Sequence, residues 1–355
     1  MFDRNDYFFS FTENAYGISI VANEKTIERD FLPALEAANC PDLDVPNGVF
    51  RVLQVDDEGG QELSGKRISE ISEPLAEGRF SILYISTYQT DFVLVSEPKL
   101  YKVMQALRQC GFEIDQEYQN GEYSNIPFIL EGDEDQEESR SLSPVDPTQF
   151  LLDINVLAND LQCVGLNRHH RSSWVHTVLK TLCFSDLVPN RNDTLHKRFC
   201  SFVNTNDDIS LIADTHILDT FDECSLMKDQ GAPGLRVIQV HFSGSNIERC
   251  GIVRHISKPL SIEAHINMFY LSTFMTANII VSADDEQQSK ERIPSLYKSD
   301  EMPSVDTKFH ENAIINGSQD PLSPINKETS SFAKNTALSV DVGSKSGSED
   351  KNIPL

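Results

Sequence analysis

The two halves of the chain share an internal repeat. Residues 50–55 (Phe-Arg-Val-Leu-Gln-Val) match residues 235–240 (Leu-Arg-Val-Ile-Gln-Val) at an offset of about 185 residues. Further blocks repeat in the same order with small shifts: Glu73-Pro-Leu75 with Lys258-Pro-Leu260, Ser10-Phe11 with Ser201-Phe202, residues 18–22 with 209–213, and residues 85–88 with 271–274. Blocks that align in one order do not arise by chance, so the two halves are duplicates.

The stretch from residue 80 to 95, FSILYISTYQTDFVLV, is predicted to form two buried strands joined by a polar corner. Phe80, Ile82 and Tyr84 alternate with their neighbours, which is typical of a strand with one buried face. The corner, residues 86–91, is dense in hydrogen-bonding side chains. It is interpreted either as a surface turn capped by its own hydroxyl groups or as a contact surface.

Strands and helices alternate along the rest of the chain. The apolar spacing predicts a hairpin over 7–22, helices over 26–38, 68–76 and 98–111, strands over 50–55, 112–118 and 150–156, and a helix over 174–182. Pro74 is expected to break the second of these helices. The order is that of βαββαβ units. The predicted fold class is therefore α+β, with tandem ferredoxin-like modules in a duplicated pair.

The duplication predicts four modules, a linker and a tail. The expected ranges are 1–60 for a partial first module, 61–130 for the second, 131–147 for an acidic and Ser/Pro-rich linker, 148–240 for the third module, 241–285 for the fourth, and 286–355 for a disordered tail. The first module is expected to be incomplete, because its first strand and helix would fall before Met1. Either the start is placed late or that segment has been lost.

Composition excludes several functions. The net charge of −25 and the pI near 4.6 repel phosphate backbones and anionic lipid, so nucleic acid and membrane surfaces are not expected as partners. Seven cysteines without a C-x-x-C pair, together with a polar N-terminus, suggest reduced thiols and a cytosolic protein. The adjacent His169 and His170 are flanked by arginines that repel a cation, so no metal is expected. No catalytic motif is present, and neither an enzyme activity nor a cofactor is predicted.

Two motifs resemble the CASTOR family of cytosolic amino-acid sensors of the TOR pathway. One is Ser81 followed by ISTYQTDFVLVSE, and the other is Cys250-Gly-Ile-Val253 followed by Pro-Leu and YLSTF. The resemblance implies four ACT domains, an amino-acid ligand between the second and the fourth, and ligand-dependent release of a GATOR complex. It covers most of residues 7–282 apart from the linker.

The resemblance implies a ligand site with members from two modules. These are Ser81 and Ile82 from the second module and Arg249, Cys250, Gly251, Ile252, Val253, Thr273, Phe274 and Ala277 from the fourth. Gly251 would let main-chain amides approach a ligand carboxylate, or it would serve as the turn that begins a helix. Both interpretations stay open from the sequence.

Two positions depart from the arginine-binding pattern of the family. Ala277 stands where arginine sensors have a carboxylate, and Arg249 stands where they have a glutamate. A buried guanidinium without a carboxylate is costly, so an amino acid other than arginine is expected, unless Glu248 turns inward. The resemblance also implies that Tyr88, Gln89 and Asp91 contact a GATOR-like complex, which requires them to be exposed.

Alternative functions stay open from the sequence alone. The chain could be an interaction scaffold that binds no ligand, or an allosteric regulatory subunit of an amino-acid biosynthetic enzyme. A homodimer is also compatible with the sequence.

Overall fold

The structure is a computed structural model that describes residues 7–39, 43–46, 48–55, 64–114, 151–184, 198–229, 231–295 and 335–340. The predicted linker at 131–147 lies outside the described residues.

The second and fourth modules have the same order of elements. The second contains β4 (Val49–Val55), α3 (Ser64–Glu77), β5 (Ile82–Ser86), β6 (Asp91–Ser96) and α4 (Leu100–Gln109). The fourth contains β11 (Leu235–Phe242), α7 (Ile252–Lys258) with a π-helical turn Pro259–Glu263, β12 (Met268–Ser272), β13 (Thr276–Ser282) and α8 (Glu286–Ser295). Strand β4 lies within the range predicted for the first module, and β11 crosses the predicted boundary at 240.

The first and third modules supply the remaining elements. The first contains β1 (Phe8–Asn14), β2 (Gly17–Asn23), a helix that runs from α1 (Glu24–Thr26) through a π-helical turn Ile27–Phe31 into α2 (Leu32–Ala38), and β3 (Leu43–Asp44). The third contains β7 (Leu151–Leu166), α5 (Arg171–Cys183), β8 (Cys200–Thr205), β9 (Ile209–Asp214), α6 (Thr215–Leu218) and β10 (Leu226–Met227). A last strand, β14, spans Asn335–Val340.

All strands belong to one curled sheet. Its order is β10-β7-β11-β13-β12-β5-β6-β4-β14-β2-β1-β8-β9, with β3 beside β14, and β9 also pairs with β7, so the sheet closes on itself. Strand β7 makes this closure possible because it is 16 residues long. Its first part pairs with β11 up to Leu161, and from Leu161 onward it pairs with β9. One strand therefore serves two modules.

The sheet separates three hydrophobic clusters. The inner face carries residues from nearly every strand, including Phe8, Phe92 and Leu161. The outer face of the second and fourth modules packs against α3, α4 and α7 and is called here the helix-side cluster. The outer face of the third module packs against Trp174 and Val178 of α5. Both faces of β5 and β6 are consequently buried, in agreement with the prediction of two buried strands.

An internal two-fold relates the second and fourth modules. Ile85 of β5 lies opposite Leu271 of β12, and these two residues occupy the same position in the repeat. The Tyr84 N–H donates to Ser272 Oγ at 3.0 Å, and the Tyr270 N–H donates to Ser86 Oγ at 3.1 Å. Such reciprocal contacts are the signature of a two-fold interface. The two halves of the repeat therefore meet at equivalent residues.

The same two-fold relates the C-terminal end of α3 to the end of the π-helical turn that follows α7. Arg79 and His265 both have a φ of 55°, in the left-handed region that ends helices. The next residues, Phe80 and Ile266, donate their N–H groups to the carbonyls of Leu75 and Leu260 at 2.8 and 2.9 Å. The backbone conformation is therefore the same at these repeat positions, although the side chains differ.

Three expected elements differ from the structure. Helix α3 continues through Pro74 to Glu77, because a single lost N–H bond does not outweigh the burial of Ile68, Ile71 and Leu75. Residues 112–114 of the predicted strand at 112–118 are not in a strand, and residues 115–118 lie outside the described part. The range predicted as a disordered tail contains a helix and a strand. Helix α8 forms at its start, where Ile293 is fully buried in the helix-side cluster, and β14 lies further along the chain.

We expect Ser272→Ala to lower the free energy of unfolding by about 1–3 kcal/mol, because it leaves the buried Tyr84 N–H without its acceptor. Chemical denaturation measures the change. Ser173→Ala on the exposed surface of α5 is the control and should be nearly neutral. Equal losses in the two variants would contradict the assigned hydrogen bond.

Candidate functional site

The contact between β5 and β12, called here the seam, has two ends that the two-fold makes equivalent. The Ser81 end consists of Ser81 and residues 246–253, and the Asn267 end consists of Ser64, Gly65 and Asn267. Ser81 pairs with Cys250 in an isolated β-bridge. The sequence-predicted ligand residues Ser81, Cys250 and Gly251 therefore come together at one end of the seam.

The start of α7 differs from the start of its duplicate α3. Helix α3 begins at Ser64, whose repeat position in the fourth module is 249, but α7 begins only at Ile252. Gly251 precedes it with a φ of 80°, which glycine adopts without strain, so it does act as the turn that begins the helix. A Cβ at Gly251 would meet only Ala76 Cβ, at 3.8 Å. The first turn is thus opened out, and a Cβ at Gly251 would be in ordinary van der Waals contact with Ala76.

Apolar side chains line the helix side of the Ser81 end. Ile82, Ile252 and Val253 are all buried in the helix-side cluster, which also contains Met268. Phe80 packs against the same cluster. Leu83 faces the inner cluster instead, because neighbouring residues of a strand point to opposite faces.

Asn246 joins the Ser81 end to the corner of the β12–β13 hairpin. Its N–H donates to the Phe274 carbonyl at 2.7 Å, and its Nδ2 donates to the Thr273 carbonyl at 3.0 Å. Its own carbonyl accepts from Ser81 Oγ at 3.2 Å. Thr273 and Phe274 are therefore linked to Ser81 through one residue that sequence reasoning missed, since Asn246 lies between the repeated blocks.

The hydroxyl of Ser81 is engaged by the protein itself. Besides the carbonyl of Asn246, it reaches the carbonyl of Ile247. A serine hydroxyl has one proton and donates to one acceptor at a time. To donate to a ligand carboxylate, Ser81 would have to release both carbonyls.

The Oδ1 atom of Asn246 is a buried acceptor without a hydrogen-bond partner among the described residues. Only 4% of Asn246 is exposed, and the other side-chain atom, Nδ2, is held by Thr273. Buried polar atoms are nearly always paired, because desolvating an unpaired acceptor costs about 1–3 kcal/mol. The Ser81 end therefore contains an acceptor for a hydrogen-bond donor from outside the described chain.

Arg249 contacts the end of β11. Its Nη2 donates to the carbonyl of Ser243, and its guanidinium lies 6.0 Å from the ring centroid of Phe242. Both partners belong to its own module, at the end of β11. The side chain of Glu248 lies outside the described part of the structure.

Asp91 is buried and paired with Arg67. Its side chain is 2% exposed, and its Oδ2 lies 2.6 Å from both Nε and Nη2 of Arg67 on α3. Burial raises the pKa of Asp91, and the guanidinium of Arg67 opposes that rise. The prediction that Asp91 is exposed is therefore wrong, because an ion pair holds it inside the second module.

The repeat positions of this ion pair are apolar in the fourth module. Ile252 stands where Arg67 would be, and Ala277 stands where Asp91 would be. Ala277 is 1% exposed and faces the helix-side cluster. The Ser81 end therefore has no carboxylate at the position equivalent to Asp91.

The Tyr88 corner packs against the third module. The Tyr88 N–H donates to Ser210 Oγ at 3.0 Å, and a Cβ at Gly165 would lie 3.0 Å from Cδ1 of the Tyr88 ring. Asp208 lies beside Thr87 and Gln89, and its burial raises the pKa of its carboxyl group. Tyr88 is consequently half-buried, and Gln89 is the exposed member of the predicted partner contact.

The described residues contain no cluster of three or more His, Cys, Asp or Glu side chains that could hold a metal ion. No helix in these ranges is long and apolar enough to cross a membrane.

The chain matches one protein family and, over most of its length, individual proteins. The ACT domain family matches residues 47–109 and 231–290, which contain the second and fourth modules. The human "Cytosolic arginine sensor for mTORC1 subunit 1" is 27% identical over 286 residues, which is 78% of this chain and 82% of the human protein. The mouse protein of the same description is 27% identical over 289 residues, with the same coverage.

Among solved structures, an aspartate kinase from Synechocystis overlaps with 85% of this chain at a TM-score of 0.31 and 10% identity. The overlap spans about half of that kinase, 52% of its length. A likeness of this size carries no argument about function.

Removing one partner of the Arg67–Asp91 pair should be costly. We expect Asp91→Ala to lower the free energy of unfolding by about 3–5 kcal/mol, because the Arg67 guanidinium stays buried without its carboxylate. The double variant Arg67→Met, Asp91→Leu should recover most of this loss. Asp30→Ala, in the exposed Arg29–Asp30 pair, is the control and should leave stability nearly unchanged. A mild effect of Asp91→Ala would contradict the burial of the pair.

Proposed function

We propose that this chain, which is a divergent member of the CASTOR family with two ACT domains, is a cytosolic regulator that binds a free amino acid at the Ser81 end of the seam. Its human relative is described as an arginine sensor for mTORC1. By analogy, this chain acts on TOR signalling through a GATOR-like complex. It has no catalytic role in this proposal.

The observation that carries the proposal is the buried Oδ1 of Asn246 without a partner among the described residues. The ammonium group of an amino acid would donate to it. The opened first turn before Ile252 supplies main-chain N–H groups for the α-carboxylate, since α7 has no side-chain cap. Both charged ends of an amino acid thus find complementary groups within one short segment.

The apolar surroundings favour a neutral side chain on the ligand. Ile82, Ile252 and Val253 supply a hydrophobic surface, and Ala277 supplies no charge. A guanidinium buried there without a carboxylate would cost several kcal/mol. Arginine is therefore disfavoured, although the human relative is described as sensing it.

One observation favours a second candidate function. The Ser81 hydroxyl is already satisfied by main-chain carbonyls, which suits a chain that binds no ligand and acts as an interaction scaffold. The two candidates differ in whether an amino acid stabilises the protein, because only a bound ligand shifts the unfolding equilibrium.

A thermal-shift panel of the free amino acids separates the two candidates. We expect at least one neutral amino acid to raise the melting midpoint and arginine to leave it unchanged. Isothermal titration of the strongest amino acid should then give a saturable isotherm. A panel in which no amino acid moves the midpoint would favour the scaffold.

Ala277→Asp tests the specificity of the same site. The new carboxylate would be buried without a partner and should lower the melting midpoint, and added arginine should restore it by supplying a guanidinium. Ala213→Asp is the matched control, because Ala213 is equally buried but lies in β9 of the third module. Recovery by arginine in both variants, or in neither, would contradict a side-chain pocket beside Ala277.

The partner surface is tested at its exposed member, Gln89. We expect Gln89→Arg to abolish co-precipitation of a GATOR-like complex while changing stability by less than about 0.5 kcal/mol, since the side chain is at the surface. Gln105→Arg on the exposed side of α4 introduces the same charge elsewhere and should leave binding intact. Unchanged binding in both variants would show that the corner is only a turn.

A further inference from the structure

The Asn267 end of the seam is the two-fold counterpart of the proposed ligand site. Asn267 occupies the repeat position of Ser81, and Gly65 occupies that of Cys250. The matched hydrogen bonds of Tyr84 and Tyr270 show that the backbones of β5 and β12 are equivalent about the two-fold. A duplicated site would therefore be expected here on geometry alone.

The side chain of Asn267 fills this end. Its Oδ1 accepts from the Gly65 N–H at 2.9 Å and lies 2.8 Å from the hydroxyl of Ser64. That hydroxyl is also 2.7 Å from the Met268 carbonyl. The carboxamide oxygen therefore accepts from one main-chain N–H group in the first turn of α3, where a carboxylate would be favoured.

The main chain of Ile266 also packs closely against Gly65 at this end. A Cβ at Gly65 would lie 2.8 Å from the Ile266 carbonyl and 3.2 Å from Ser261 Cβ. At Gly251, in the other end, the nearest atom would be 3.8 Å away. The helix start is intact at the Asn267 end and opened at the Ser81 end.

We propose that the Asn267 end is a second copy of the ligand site that the chain has closed with its own carboxamide, which acts as an internal ligand. One chain then binds one amino acid rather than two. The stoichiometry rests on the proposed function, whereas the internal ligand can be tested without any amino acid.

Removal of the carboxamide should leave a vacancy that a small carboxylate fills. Asn267→Ala is expected to lower the melting midpoint by roughly 2–8 °C, through the lost acceptor of the Gly65 N–H. Sodium formate has the same number of heavy atoms as a carboxamide and should restore part of the loss. Sodium chloride of equal ionic strength should not restore it.

Two variants make the result specific. Asn267→Asp keeps the acceptor oxygen, so its midpoint should stay near that of the parent protein and should not respond to formate. Asn204→Ala on β8 is the control for loss of an asparagine side chain away from the seam. A formate response as large in Asn204→Ala as in Asn267→Ala would overturn the internal ligand, and so would no response in Asn267→Ala.

Titration of the parent protein with the amino acid found in the thermal-shift panel measures how many ligand molecules bind to each chain. One molecule per chain is expected, and two per chain would overturn the closure of the Asn267 end. If no amino acid binds, the proposed function fails, and the formate experiment still decides whether Asn267 is an internal ligand.

Discussion

The edge-to-edge contact of β5 with β12 is the constraint on which the rest of the structure depends. A ferredoxin-like sheet covers one face with its own helices and leaves the other face and its edge strands unprotected. Joining two modules through equivalent residues, Ile85 and Leu271, removes one edge from each. The long strand β7 then carries the sheet into the third module, and the curled sheet buries its remaining face against itself.

Duplication supplied two equivalent ends of the seam, and a few substitutions made them different. Asn267 and Gly65 close one end by direct hydrogen bonding, whereas Ser81 and Gly251 leave the other end with an opened helix start. The charges diverged in the same way. One module keeps a buried ion pair between a helix and a hairpin, and the other has an apolar pair in its place. Small changes suffice because the backbone already brings the same positions together.

The hairpin of β5 and β6 links the proposed ligand site to the proposed partner surface. Ser81 precedes the five-residue strand β5 directly, and Tyr88 and Gln89 of the corner follow that strand after Thr87. Tyr88 in turn packs against Gly165 and Ser210 of the third module. A displacement at the seam would therefore reach the corner through one short strand, which is the kind of contiguous connection that coupling between sites uses.

The sequence by itself determined the duplication, the module type and most of the elements. Repeated blocks and apolar spacing are local properties, and they survive in any structure the chain adopts. The resemblance also named Ser81, Cys250 and Gly251, which do meet in space. Only the tertiary structure decided which polar residues are buried. Asp91 looks like a surface residue in sequence, yet Arg67 from a neighbouring helix holds it inside, and Asn246 and Asn267 gain their roles from contacts across modules. Pairing of this kind depends on distances between remote residues, which local patterns do not encode.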